Sequence, residues 1–123
     1  MSQTEVKLKR AGFLAKVNIG KESVQRLKND VWLVQGNTNI YCDSAYLNKE
    51  TNSARAFGRV RIIDTVDPLH IESDYMEYDG NTRRAKLRNN VVMKDDSVTL
   101  YTDFLDYNRT TKTGNYFNGG RLI

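Results

Sequence analysis

Val91-Val92-Met93-Lys94, Asp95-Asp96-Ser97, Val98-Thr99-Leu100-Tyr101-Thr102-Asp103, Phe104-Leu105-Asp106-Tyr107, Asn108-Arg109-Thr110-Thr111-Lys112, Gly114-Asn115-Tyr116-Phe117: residues 91–117 run strand, polar turn, strand, a second strand without pause, turn, strand. Apolar and polar residues alternate, and the β-branched and aromatic types are those that fit a pleated, half-buried surface. The same text recurs about one such unit earlier, and self-similarity at a fixed period decides architecture before any single motif does.

Columns measure the repeat. Leu27, Phe57, Leu87 and Phe117 stand 30 residues apart each time. Asn18, Asn48, Asp79 and Asn108 follow at steps of 30, 31 and 29, each opening a turn. Before those turns come Val17, Leu47, Tyr78 and Tyr107, and two positions earlier Ala15, Ala45, Met76 and Leu105. A further column is Asp43, Asp74 and Asp103, each three residues after Ile40, Ile71 and Leu100. Across those aspartates the apolar phase slips by one residue, from Ile40 and Cys42 to Ala45 and Leu47, and likewise in the later units. A one-residue slip inverts every side chain unless the strand bulges or bends. Asp43, Asp74 and Asp103 are therefore corner residues.

Working outward, Val60-Arg61-Ile62 leads through a turn at Asp64 to Pro68 into Leu69-His70-Ile71, and Asp79-Gly80 between strand patterns is a hairpin signal. Gln35-Gly36-Asn37 is another turn signal. Helical spacing over Lys21 to Leu33 competes with strand, and the repeat phase favours strand. Residues 1–10 read as a polar N-terminal segment, and 11–123 as a single β-repeat domain of a chain that can extend further. After Gly119-Gly120 the text starts another strand. Each unit is too thin to bury its own apolar face, so units must stack. The fold class is all-β: a twisted antiparallel jelly roll of two-strand units, open at both ends, with two sheets of alternate strands meeting at the aspartate corners.

Composition fits a chain of this kind: 123 residues, 39% apolar, 28% charged, net charge +4. No run approaches the ~20 apolar residues of a membrane helix. Lys7, Lys9 and Arg10, then Arg55, Arg59 and Arg61, then Arg83, Arg84, Lys86 and Arg88 form local basic groupings; they are solvent-facing alternates of a strand or a rim that meets phosphates. Cys42 is the one cysteine, so no internal disulfide exists, and its phase makes it a buried thiol.

Catalytic signals are poor. His70, the one histidine, points away from the face of Leu69 and Ile71. Nucleophile–base pairs, metal spacings and phosphate loops are missing from the text, which argues against an enzyme and against a cofactor or metal. A calcium ladder on the aspartate column needs several oxygen ligands per turn and finds one. A hydrolase needs two of those carboxylates together in a cleft. The seven tyrosines suit strand packing, and no OB-fold or RNP pattern points to nucleic acid.

The interior is the remaining candidate. Its inward positions are Ile40, Cys42, Leu47 and Phe57, then Ile62, Ile71, Met76 and Leu87, then Met93, Leu100, Leu105 and Phe117. Two readings stay open: these residues close on one another as a core, or the prism splays to take an apolar chain.

Leu69-His70-Ile71-Glu72-Ser73-Asp74-Tyr75-Met76-Glu77-Tyr78-Asp79 and Leu100-Tyr101-Thr102-Asp103-Phe104-Leu105-Asp106-Tyr107-Asn108 carry a resemblance, with Ala56-Phe57-Gly58-Arg59-Val60 supplying an apolar-Gly-x-Val step. Over about residues 11–123 the chain resembles the OstA-like family of lipopolysaccharide-transport proteins. Leu87-Arg88-Asn89-Asn90-Val91 keeps the valine and lacks the glycine. The resemblance implies a stacking jelly roll that shields acyl chains and bridges two membranes, with Arg55, Arg59, Arg61 and Arg84 meeting anionic head groups. It implies lipopolysaccharide or another lipid as ligand, head-to-tail self-association or other Lpt components as partners, and membrane association only through partners. It also implies a periplasmic location, with any leader removed. A structural β-repeat scaffold that polymerises through its edges without lipid is the alternative.

Overall fold

A computed structural model describes residues 5–66, 69–94, 98–117 and 121–122, with the backbone alone for 116, 117, 121 and 122. Pro68, the Asp95-Asp96-Ser97 turn and Gly119-Gly120 lie outside the described residues.

Six long strands carry the fold: β3 (Glu22–Gln35), β4 (Thr38–Asn48), β5 (Ser53–Asp64), β6 (Leu69–Asp79), β7 (Arg84–Lys94) and β8 (Thr99–Asn108). Short strands flank them, β1 (Lys7–Arg10) and β2 (Phe13–Ile19) before and β9 (Thr113–Phe117) and β10 (Arg121–Leu122) after. All ten belong to one antiparallel sheet in the order β1-β3-β4-β5-β6-β7-β8-β10. At one edge β2 and β1 share the two halves of β3, and at the other β9 and β10 share those of β8. The edges do not pair with each other, so the sheet is open at both ends. The segment from Lys21 to Leu33 is strand, as the repeat phase requires.

The sheet bends along one line. On β4, Asp43 lies between Cys42, paired with Val31, and Ser44, paired with Lys28; two residues of β3, Asn29 and Asp30, oppose it. The same two-against-one arrangement sets Gly58 and Arg59 against Asp74, and Asn89 and Asn90 against Asp103. An extra residue of this kind kinks a strand and re-aims its side chains. Both members of each pair are left-handed: Asn29 (φ 67°) and Asp30 (58°), Gly58 (76°) and Arg59 (45°), Asn89 (69°) and Asn90 (53°). Asparagine tolerates that conformation better than most residues, which is how the third unit dispenses with the glycine.

Because every long strand kinks at the same line, each contributes to two layers. This corrects the expectation of two sheets made of alternate strands: there is one sheet, folded on itself. Leu27, Met76, Leu87 and Leu105 from one side of the line cluster with Val31, Ile40, Ile62 and Ile71 from the other in a single core. The sheet begins within residues 5–17, which alternate Val6, Leu8, Ala15 and Val17 as a strand does. Lys7, Leu8 and Arg10 pair with β3, and Val6 is buried in the core, so the polar segment ahead of residue 11 is partly sheet.

Candidate functional site

Inward positions first. Ile40, Leu47, Ile62, Ile71, Met76, Leu87, Leu100 and Leu105 are all buried to within 2% of full coverage. Cys42 is buried with them, and burial pushes its thiol pKa up to about 12. Met93 is half-buried and packs against the core. Phe117 lies on β9 by its backbone, and its side chain is outside the described set.

Phe57 is a correction. It pairs with Ser44 and Tyr75, one residue past inward-facing Ala56, and is therefore turned outward. There it meets the Tyr46 ring edge-on, with centroids 5.8 Å apart, and the Tyr75 ring tilted at 5.2 Å. The column Leu27, Phe57, Leu87 misplaces it because β5 carries its bulge immediately after Phe57.

The aspartates occupy the corner, as read. Asp43 accepts from Arg59 Nε at 3.1 Å and Nη2 at 2.9 Å, and Asp74 accepts from Asn90 Nδ2 at 2.7 Å. Each carboxylate thus holds a left-handed residue of the neighbouring strand, and that hydrogen bond is the main cause raising the Arg59 pKa further. Asp103 takes the equivalent place on β8 and is exposed. One strand separates each aspartate from the next, which puts them roughly 9–10 Å apart.

The four arginines read as head-group contacts do not converge. Arg59 is tied to Asp43. Arg61 lies over the Tyr41 ring at 5.3 Å and Arg55 over the Tyr46 ring at the same distance. Arg55 and Arg84 line an outer recess of about 780 Å³ together with Tyr46, Glu77 and Lys86. All sit on the outside of the folded sheet, where ring and carboxylate partners already engage three of them. His70 Nε2 stands 2.8 Å from Glu72 on the outer face, away from Leu69 and Ile71 as expected.

Opposite the corner line, the free tips of the two layers meet in a seam that motif reading missed. The Val6 amide donates to Asn52 Oδ1 at 2.8 Å. Gln35 Nε2 donates to the Gly80 carbonyl at 2.7 Å, and the Tyr78 hydroxyl donates to Gln35 Oε1 at 2.5 Å. Arg109 donates from Nε to Thr38 Oγ1 at 3.1 Å and from Nη2 to Asp64 Oδ2. These contacts follow the repeat: Val6, Gln35 and Asp64 are 29 residues apart, and Asn52, Gly80 and Arg109 are 28 and 29 apart. Gly80 is needed there, since a Cβ would stand 2.6 Å from the Asn52 carbonyl and 2.7 Å from the Val6 side chain. The available signal was polar residues at inward phase: Gln35 after Val31 and Leu33, Thr38 before Ile40, Asp64 after Val60 and Ile62.

The seam is polar, yet it is buried. Asp64 exposes 1% of its side chain and Arg109 10%. Arg109 Nη1 is also buried and meets no acceptor among the described residues. A buried donor left without a partner costs about 1–3 kcal/mol. Burial of Tyr78 raises its hydroxyl pKa to about 12, opposed by the positive charges of Arg83 and Arg109.

Chemically, this arrangement offers an apolar interior, closed by a polar seam, between two sheet edges that pair with nothing further among the described residues. Among solved structures it is similar to the crystal structure of LptH from Pseudomonas aeruginosa, described as the LptA-homologous periplasmic component of a lipopolysaccharide transport device. The likeness has a TM-score of 0.82 and covers 98% of this chain and 94% of that one; at 13% identity it is a likeness of fold. No curated protein matches the chain. The family model described as OstA-like protein matches residues 3–123, and on that match the chain belongs to the OstA-like family.

Proposed function

We propose that this chain is a periplasmic carrier that takes the acyl chains of lipopolysaccharide, or of a similar lipid, between its two layers and passes them on as part of a bridge. The observation that carries the reading is the continuous apolar inner face running through β3 to β8 from one open edge to the other. Family membership and the fold likeness to LptH support it. Transfer along such a face is passive: each Å² of acyl surface removed from water contributes about 25 cal/mol. Neither turnover chemistry nor a cofactor enters this mechanism. Open edges at β1/β2 and β9/β10 present unpaired backbone groups to which a second copy or another Lpt component adds by strand pairing.

Photocrosslinking residues at Met76 or Leu105 test the reading, with outer positions such as Lys86 as controls. Capture of lipopolysaccharide at the inner positions alone supports it, and equal or absent capture ends it. The complete burial of the inner side chains favours a second reading, a self-assembling scaffold with a filled core. Concentration-dependent filaments that form without lipid would mark that one.

A further inference from the structure

Arg109 is the one described arginine held inside the seam, and the described residues leave its hydrogen-bonding capacity incomplete. A guanidinium presents its N–H groups as a planar fork that matches carboxylate and phosphate oxygens. Here Nε and Nη2 are engaged by Thr38 and Asp64, while buried Nη1 meets no acceptor among the described residues. The cluster also sits where the two layers part. Thr38 and Asp64 pair with each other at the tips of β4 and β5, and Arg109 follows the tip of β8 in the other layer. From Arg109 the inner face continues through Tyr107 and Leu105, and from Asp64 through Ile62. The outer arginines differ: Arg59 is largely solvent-exposed, and a pair at such a site is worth little.

We propose that Arg109 is the receptor for the anionic head of an amphiphile, a carboxylate or a phosphate, whose chain enters between the two tips it joins. The proposal rests on the lipid-carrying reading above. The arriving oxygens take Nη1 and compete with Asp64 for Nη2; once Asp64 is displaced, the β5 tip is released from the opposite layer while Thr38 and Gln35 still hold their bonds, and the apolar interior is accessible beside Arg109. Asp64 is thus an internal stand-in for the ligand's charge, and head-group binding and seam opening are one event.

Parinarate, a fluorescent fatty acid, and its neutral methyl ester test this on the full chain, since they share a tail and differ in charge. The native chain binds parinarate about tenfold more tightly than the ester, the scale of one charge-assisted contact. Arg109→Gln abolishes that preference by weakening parinarate alone, and Arg109→Lys retains part of it. Asp64→Asn raises parinarate affinity several-fold without moving the ester, and it decides the matter if Arg109→Gln does not fold. Equal binding of acid and ester by the native chain, or a preference that survives in folded Arg109→Gln, overturns the proposal and leaves the carrier reading standing. Displacement of parinarate by millimolar inorganic phosphate overturns it in favour of a site for free anions. Failure of both probes to bind the native chain removes the carrier reading and this one with it.

Discussion

Tyr78 donates its hydroxyl to the side-chain carbonyl of Gln35, 43 residues away and in the opposite layer, and Gln35 in turn donates to the Gly80 carbonyl. The pair closes the seam at its centre, and both side chains are about 1% exposed. Low dielectric strengthens such bonds and makes the loss of one partner expensive. Gln35→Ala, which strands the Tyr78 hydroxyl and the Gly80 carbonyl, is expected to lower stability by about 2–4 kcal/mol, and Tyr78→Phe by about 1–3 kcal/mol. Urea denaturation of the two variants checks this; a Gln35→Ala chain as stable as the parent rules out a structural role for the bond.

The corner has its own sensitivity. Gly58 has a φ of 76°, and a Cβ there would stand 2.7 Å from Asp43 Oδ2. Gly58→Ala is expected to cost about 1–3 kcal/mol from backbone strain and that contact together. In an Asp43→Ala background the Oδ2 contact is lost and only the 3.1 Å approach to the Cβ of residue 43 remains, so the cost of Gly58→Ala should fall in part. Asn89→Gly at the equivalent corner, φ 69°, should stay within about 1 kcal/mol of the parent.

Alkali should unfold the chain earlier than its net charge suggests. Burial raises Cys42 from 9.0 to about 12 and Tyr78 from 10.0 to about 12. The folded state therefore keeps protons that the unfolded state has shed, and stability falls as pH rises from 9 towards 12. Each group steepens the fall by up to about 1.4 kcal/mol per pH unit in its own window. Below pH 9 neither contributes a slope. Cys42→Ala should flatten the lower part of the curve; an unchanged profile would mean the thiol titrates normally.

Inward and outward positions should separate by energy. Leu105→Ala and Met76→Ala empty fully buried sites and are expected to cost about 2–5 kcal/mol each. Phe57→Ala, despite removing a larger side chain, loses outer ring contacts with Tyr46 and Tyr75 and should cost about 1–2 kcal/mol. Equal losses at all three sites would place Phe57 back inside.

The corner was legible because a phase slip beside a repeated aspartate has few physical solutions in a strand. Its other half was not: Asn29-Asp30 and Asn89-Asn90 look like ordinary polar residues until pairing shows that each couple opposes one aspartate. Phe57 was misread for the same reason: its bulge follows it directly, whereas Lys28 and Arg88 stand between Leu27 and Leu87 and theirs, so the 30-residue column is off by one at β5.

Strand alternation, period, corner residues and core composition came from the text alone, because they depend on contacts between residues near in sequence or between equivalent units. The seam did not. Val6 to Asn52, Gln35 to Gly80 and Asp64 to Arg109 are contacts 45 or 46 residues long, one and a half repeats, and that offset is fixed by how far the sheet twists before its layers meet. Twist accumulates over many strands and belongs to no local pattern. Only the folded chain could decide which polar tips face each other, and that Arg109 would close onto Thr38 and Asp64.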